Sequence, residues 1–170
     1  MTATTKFPYA MRKKAETVYN RWLKAIYPDL VQIVRALPRD PRLERVHPVA
    51  NPRILVVQKE AMPGWTGFAF TRGMNGDESV WGDLKRAFPF WNPADCLNNF
   101  KSKIVISSVI LESSILVQKL SVIHEGLHMA GAIGHGWHFK GRNLFDGGWV
   151  WNYHNVSMYL YETEFAERMG

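Results

Sequence analysis

The segment from Val122 to His138 constrains this chain more than any other part of it. Four of the six histidines fall there, at positions 124, 128, 135 and 138. His124-Glu125-Gly126-Leu127-His128 spells HExxH, in which two imidazoles stand one helical turn apart on one face. The apolar residues ahead of it keep step: Leu116, Leu120, Ile123 and Leu127 form a helical stripe, so the motif is expected on a helix anchored to a core. Gly131 and Gly134 should end that helix.

Two histidines at that spacing can share one zinc ion. Glu125 lies about 100° around the helix from His124, close enough to act on a zinc-held water without ligating the metal. Zinc lowers the pKa of such a water toward roughly 7, which lets a glutamate serve as general base. A catalytic zinc needs a third protein ligand, and both His135 and His138 follow the glycine break. His135 stands between Gly134 and Gly136, where the chain can turn back toward the metal. If Gly136 opens a second helix, His135 sits at its entrance, and His138 projects from another face to line a substrate groove. A metzincin pattern, HExxHxxGxxH, would put the third ligand at Gly134, which has no side chain to give.

Elsewhere the pattern is mixed α and β. Residues 10–37 read as helix, with Tyr19, Trp22, Leu23 and Ile26 followed by Leu30, Ile33, Val34 and Leu37. Pro28, between the two sets, is expected to kink the helix or begin another. Residues 38–52 are too rich in proline for regular structure. Ile54–Val57 and Thr66–Phe70 read as strands joined by a turn at Met62, Pro63 and Gly64, and Lys103–Ser107 as a third strand. A short helix is expected over Asp77–Phe88, and a terminal one over Val156–Met169. WVWNYH, at 149–154, could be extended.

The 170 residues, 46% of them hydrophobic, suit one domain with a real core and exclude a disordered tail protein. No apolar run is long enough for a membrane span, and the charged start lacks the apolar stretch of a secretory leader. The lone Cys96 rules out a disulfide framework or a Cys-based zinc ribbon and fits a reducing compartment. Charge is uneven: residues 1–59 carry a balance of +8 and residues 60–170 one of −2. Arg12, Lys13, Lys14, Arg21 and Lys24 therefore form a candidate nucleic-acid footprint, with a solvated helix face as the plainer reading. Trp65, Trp81 and Trp91 are the aromatic residues to follow if nucleic acid binds. His47, in the proline-rich stretch, is expected to be exposed rather than a ligand.

HEGLH, six further residues, then His135-Gly136-x-x-Phe139-x-x-Arg142, resembles the SprT-like zinc metalloproteases, whose pattern is HExxH followed by HGxxF. The stretch KIVISSVILESSILVQKLSVIHE before it is similar to theirs as well. The resemblance covers about residues 50–145. It implies an α+β, zincin-like domain: N-terminal helices, a small sheet beside the metal helix, and a substrate lying along the edge strand. It implies His124, His128 and His135 as zinc ligands and Glu125 as base. DNA–protein crosslink proteases of this family usually carry an acidic residue where His138 stands, and many members end in a Cys-rich ribbon absent here. A short form of viral or phage type is thus implied.

The expectation is one domain over 1–170, with a basic helical region at 1–48, a catalytic core at 50–145 and an aromatic segment at 146–170. It would hydrolyse peptide bonds in a protein or peptide substrate, with DNA-associated proteins as candidates. It would act in the cytoplasm of a bacterial or phage-infected cell, or with a virion. His138, Tyr153 and His154 are candidate substrate-side residues, the last two as oxyanion donors or as part of an aromatic cluster. The alternatives are a non-catalytic zinc-stabilised virion or DNA-associated protein, and a zinc hydrolase of cell-wall peptides.

Overall fold

The computed structural model describes residues 8–37, 45–72, 74, 78–135, 137–140, 142–143 and 156–170. Helix α1 runs over Tyr9–Ala36 and is followed by strand β1 (Arg53–Val57), a short 3-10 turn (Lys59–Ala61) and strand β2 (Gly67–Ala69). Next come helices α2 (Glu78–Ala87) and α3 (Pro93–Asn99), strand β3 (Lys103–Ser107), a second 3-10 turn (Ser108–Glu112) and helix α4 (Ile115–Met129). The hairpin β4 (His138–Phe139) and β5 (Arg142–Asn143) follows, then α5 (Val156–Leu160) and a π-helical turn (Tyr161–Phe165). The fold class is α+β, as expected, and no described helix is long and apolar enough to cross a membrane.

Pro28 does not divide α1. It lies on the exposed side, while Tyr19, Trp22, Leu23, Ile26, Leu30 and Val34 bury the opposite side in one continuous cluster. That burial outweighs the roughly 3 kcal/mol a proline costs inside a helix.

The main sheet has the order β1-β3-β2, with β1 parallel and β2 antiparallel to β3. The expected turn between β1 and β2 therefore joins strands that are not neighbours. The reason lies in the apolar pattern of KIVIS. Ile104 and Ile106 enter one core cluster with α1 and α4, and Val105 enters another with Leu84, Phe88 and Phe100 from the α2–α3 side. A strand buried on both faces belongs in the middle of a sheet. Cys96 is buried in that second cluster. Helix α3 had a sequence signal that the apolar periodicity overlooks: Asn92 caps it, accepting from the Ala94 N–H at 2.8 Å, and Pro93 holds its first position.

The outer edge of β1 is closed by side chains of α1. Asn20 accepts from the Ile54 N–H at 2.8 Å and donates to the Ile54 carbonyl at 3.0 Å. Buried Glu16 accepts from the Val56 N–H at 2.9 Å, and Arg12 donates to the Val56 carbonyl at 3.3 Å. Residues 12, 16 and 20 share one helical face and occupy the edge as a fourth strand would. β2 is thus the edge left beside α4.

Candidate metal centre

Helix α4 begins at Ser114, whose hydroxyl accepts from the Val117 N–H at 3.2 Å. Almost all of its side chains from Val117 to Met129 are buried, so its rotation about its own axis is set by packing on several sides. Gly126 faces α1, where an added Cβ would stand 2.7 Å from Leu30 Cδ1 and 3.2 Å from Leu23 Cδ1. Going back around the helix, Glu125 faces β2 at Gly67, and a Cβ on Gly67 would meet Glu125 Oε1 at 2.9 Å. His124 and His128 lie on the side roughly opposite Gly126. A glycine inside HExxH therefore brings α4 tightly against α1 and turns the two imidazoles away from that contact.

The helix ends in a Schellman motif. The Ala132 N–H donates to the Leu127 carbonyl at 3.2 Å and the Gly131 N–H to the His128 carbonyl at 3.0 Å. Gly131 has φ +120°, and a Cβ there would lie 2.4 Å from the Val46 carbonyl oxygen, so the position requires glycine on two counts. The reversal brings the Ala132 carbonyl within 2.8 Å of His128 Nδ1. A carbonyl can only accept, so Nδ1 carries the hydrogen and Nε2 keeps its lone pair for a metal.

His124, His128 and His135 converge, each offering one ring nitrogen within 4.8 Å of the others. The His128 ring stands edge-on to both partners, at centroid distances of 5.1 Å from His124 and 5.0 Å from His135. His124 is buried, His128 half-buried and His135 exposed, which leaves the group open on one side. Among the described residues this is the one group of three or more such side chains.

Burial controls the charge of all four groups. Desolvation lowers the pKa of His124 well below its ordinary 6.5, helped by repulsion from His128 and His135. Desolvation brings His128 to about 4 against the opposing Ala132 hydrogen bond, with His135 adding to the fall. Desolvation lowers His135 as well. At neutral pH the triad thus presents three uncharged imidazoles, the form that ligates a metal. Desolvation alone pushes Glu125 up to about 8. A neighbouring cation would draw it back toward ionisation.

Neutral imidazoles suit zinc, copper, iron and nickel alike, and the His128 tautomer leaves Nε2 free of its hydrogen for such an ion. The donor set therefore fits a metal ion.

Other sequence expectations meet the structure unevenly. Where a second helix after Gly136 was one possibility, the β4–β5 hairpin stands instead. Phe139 and Arg142 pair across it instead of stacking along a helix, because the positive φ of Lys140 makes a tight turn there. Gly136 and the side chain of His138 lie outside the described residues, as do Tyr153, His154 and the WVWNYH stretch. His47 is exposed and stands apart from the triad. Of the five basic residues, Arg12 is committed to Val56 and Lys13 pairs with Glu16 at 3.0 Å, while Lys14, Arg21 and Lys24 are exposed. Trp65 and Trp91 pack against the second core cluster, whereas Trp81 is exposed. Gly67, Trp137 and Arg45 had no sequence signal, since their roles come from residues far away in the chain.

Comparison with protein-family models, with curated proteins and with solved structures found no match for this chain.

Proposed function

We propose that this chain is a zinc metallopeptidase of SprT-like type, with His124, His128 and His135 as ligands and Glu125 as general base. The observation that carries the reading is the juxtaposition of three neutral imidazoles, a buried carboxylate and a sheet edge at one place. Glu125 lies against β2 at Gly67, beside the triad-bearing face of the same helix. A zinc ion held by the triad would supply a Lewis acid for a peptide carbonyl and would acidify water.

The chain's own residues supply the rest. An extended peptide has backbone groups to pair with the outer edge of β2, since the opposite sheet edge is taken up by Arg12, Glu16 and Asn20. That pairing would draw the peptide past Glu125. A cation on the triad would favour the ionised form of this carboxylate, which could then accept a proton from water and release it to a leaving amine. Exposed Lys14, Arg21 and Lys24 would draw the enzyme toward DNA-associated substrates in the cytoplasm of a bacterial or phage-infected cell.

The test is metal analysis and a hydrolysis assay on the wild type and Glu125→Gln, using denatured proteins, DNA-bound proteins and cell-wall peptides as substrates. The reading expects one zinc per chain in both and cleavage by the wild type alone. One zinc in both with cleavage by neither would leave a non-catalytic zinc protein as the better account. Cleavage of cell-wall peptides alone would move the substrate and keep the chemistry.

A further inference from the structure

His124 and His128 are held by a packed helix, but His135 sits on a loop and is exposed. A third ligand carried that way is preorganised only if something outside the triad holds the loop. Trp137 is positioned to do so. Its ring is buried in the main core cluster with Met129, Ala130 and Ala132, and its Nε1 donates to the Ile133 carbonyl at 2.9 Å. That bond ties together two residues that flank His135 in the sequence. Arg45 lies over the Trp137 ring, its guanidinium carbon 5.3 Å from the ring centroid, and donates to the Leu37 carbonyl at 2.7 Å. The Arg45 backbone forms a β-bridge with Ala132, and the next residue, Val46, donates to the Gly131 carbonyl at 3.0 Å. One strap therefore meets the loop at two places: its main chain at residues 131 and 132, which orient His128, and its guanidinium at Trp137, beyond His135.

We infer that Trp137 and Arg45 are positioning residues for the metal centre, holding the chain on either side of His135 so that this ligand stands opposite His124 and His128 before metal arrives. The inference rests on the triad binding a metal and is independent of any peptidase activity. Neither residue is a ligand. Both act through His135, and the cost of losing them is the cost of ordering a free loop when the ion binds.

Zinc affinity of the full chain, measured by competition with a chromogenic chelator, reads this directly. Trp137→Phe keeps an aromatic ring and deletes the N–H donor, and its affinity should fall about 10–100-fold, the usual loss for an outer-shell partner. Arg45→Ala, at an exposed position, should fold and weaken binding by a smaller factor, at least about 3-fold. Leu84→Val, in the other core cluster, controls for a general loss of stability and should bind as the wild type does. A folded Trp137→Phe with wild-type affinity would overturn the inference. So would Arg45→Ala with unchanged affinity if Trp137→Phe fails to fold. A wild type that binds no zinc would instead overturn the metal-site reading itself.

Discussion

Glu125 should make the stability of the metal-free protein fall as pH rises. Its carboxyl is carried from an ordinary 4.5 to about 8 by desolvation. Between those two values the folded state holds a proton that the unfolded state has released, so unfolding stability decreases with increasing pH. At about 1.36 kcal/mol per pKa unit, the full penalty above pH 8 is on the order of 5 kcal/mol. Glu125→Gln replaces the carboxyl with a neutral group of nearly the same shape and removes the titration. Urea unfolding in the presence of a chelator at pH 5, 7 and 9 checks this. The two proteins should lie within about 1 kcal/mol of each other at pH 5. The variant should lead by several kcal/mol at pH 9, with most of the difference appearing between pH 5 and 8. Zinc should narrow the gap, because a cation beside the carboxylate favours its ionised form. The histidines act on the other side. Their folded pKa values are lowered, with His128 at about 4, so they stabilise the folded state above 6.5 and that contribution is lost as pH falls toward 4. This acid loss is common to wild type and variant and cancels in the comparison. A stability difference that stays constant from pH 5 to 9 would refute the reasoning.

Further outcomes follow from the same contacts. Gly126→Ala gains about 1 kcal/mol of helix propensity but forces a methyl against buried Leu30 and Leu23, an overpacking cost of about 1–3 kcal/mol. Urea unfolding should therefore show no gain or a net loss of up to about 2 kcal/mol, and a clear stabilisation would contradict the packing described. Gly67→Ala should retain zinc yet lower kcat by at least about tenfold, because its methyl displaces Glu125 Oε1; unchanged turnover would remove Glu125 as the base. His135→Ala should lose zinc and activity together, while His138→Ala keeps the metal and changes rate or substrate preference, as metal analysis beside the protease assay can tell. Charge reversal of Lys14, Arg21 and Lys24 together should abolish any DNA binding seen at low salt, and that binding should weaken steeply toward physiological salt. Salt-independent binding would remove the DNA-directed part of the proposal.

Much of the architecture could be read locally. The helical stripe through Leu120, Ile123 and Leu127 located α4, and the short apolar run KIVIS located β3 to the residue. These elements are legible because burying one face is a demand that each segment meets with its own periodicity. The HExxH pair was legible for the same reason, since both imidazoles ride on one rigid helix.

What lay beyond local reading depended on partners distant in sequence. Nothing in residues 53–69 says that β3 will pass between β1 and β2; that follows from apolar demand on both faces of Ile104, Val105 and Ile106. The sequence after Gly134 leaves a second helix open as one possibility, and a hairpin stands there instead. The chain alone determined which residues could bind a metal: the imidazoles at 124 and 128 meet by helix geometry. Tertiary structure decided whether a third would join them, whether all would be uncharged, and where Glu125 would lie. Ligand convergence needs a loop to be held from outside, by Trp137 and Arg45, and neutrality needs desolvation by a surrounding core. Both are many-body effects of packing, set by residues up to about a hundred positions away, and no spacing rule within the motif contains them.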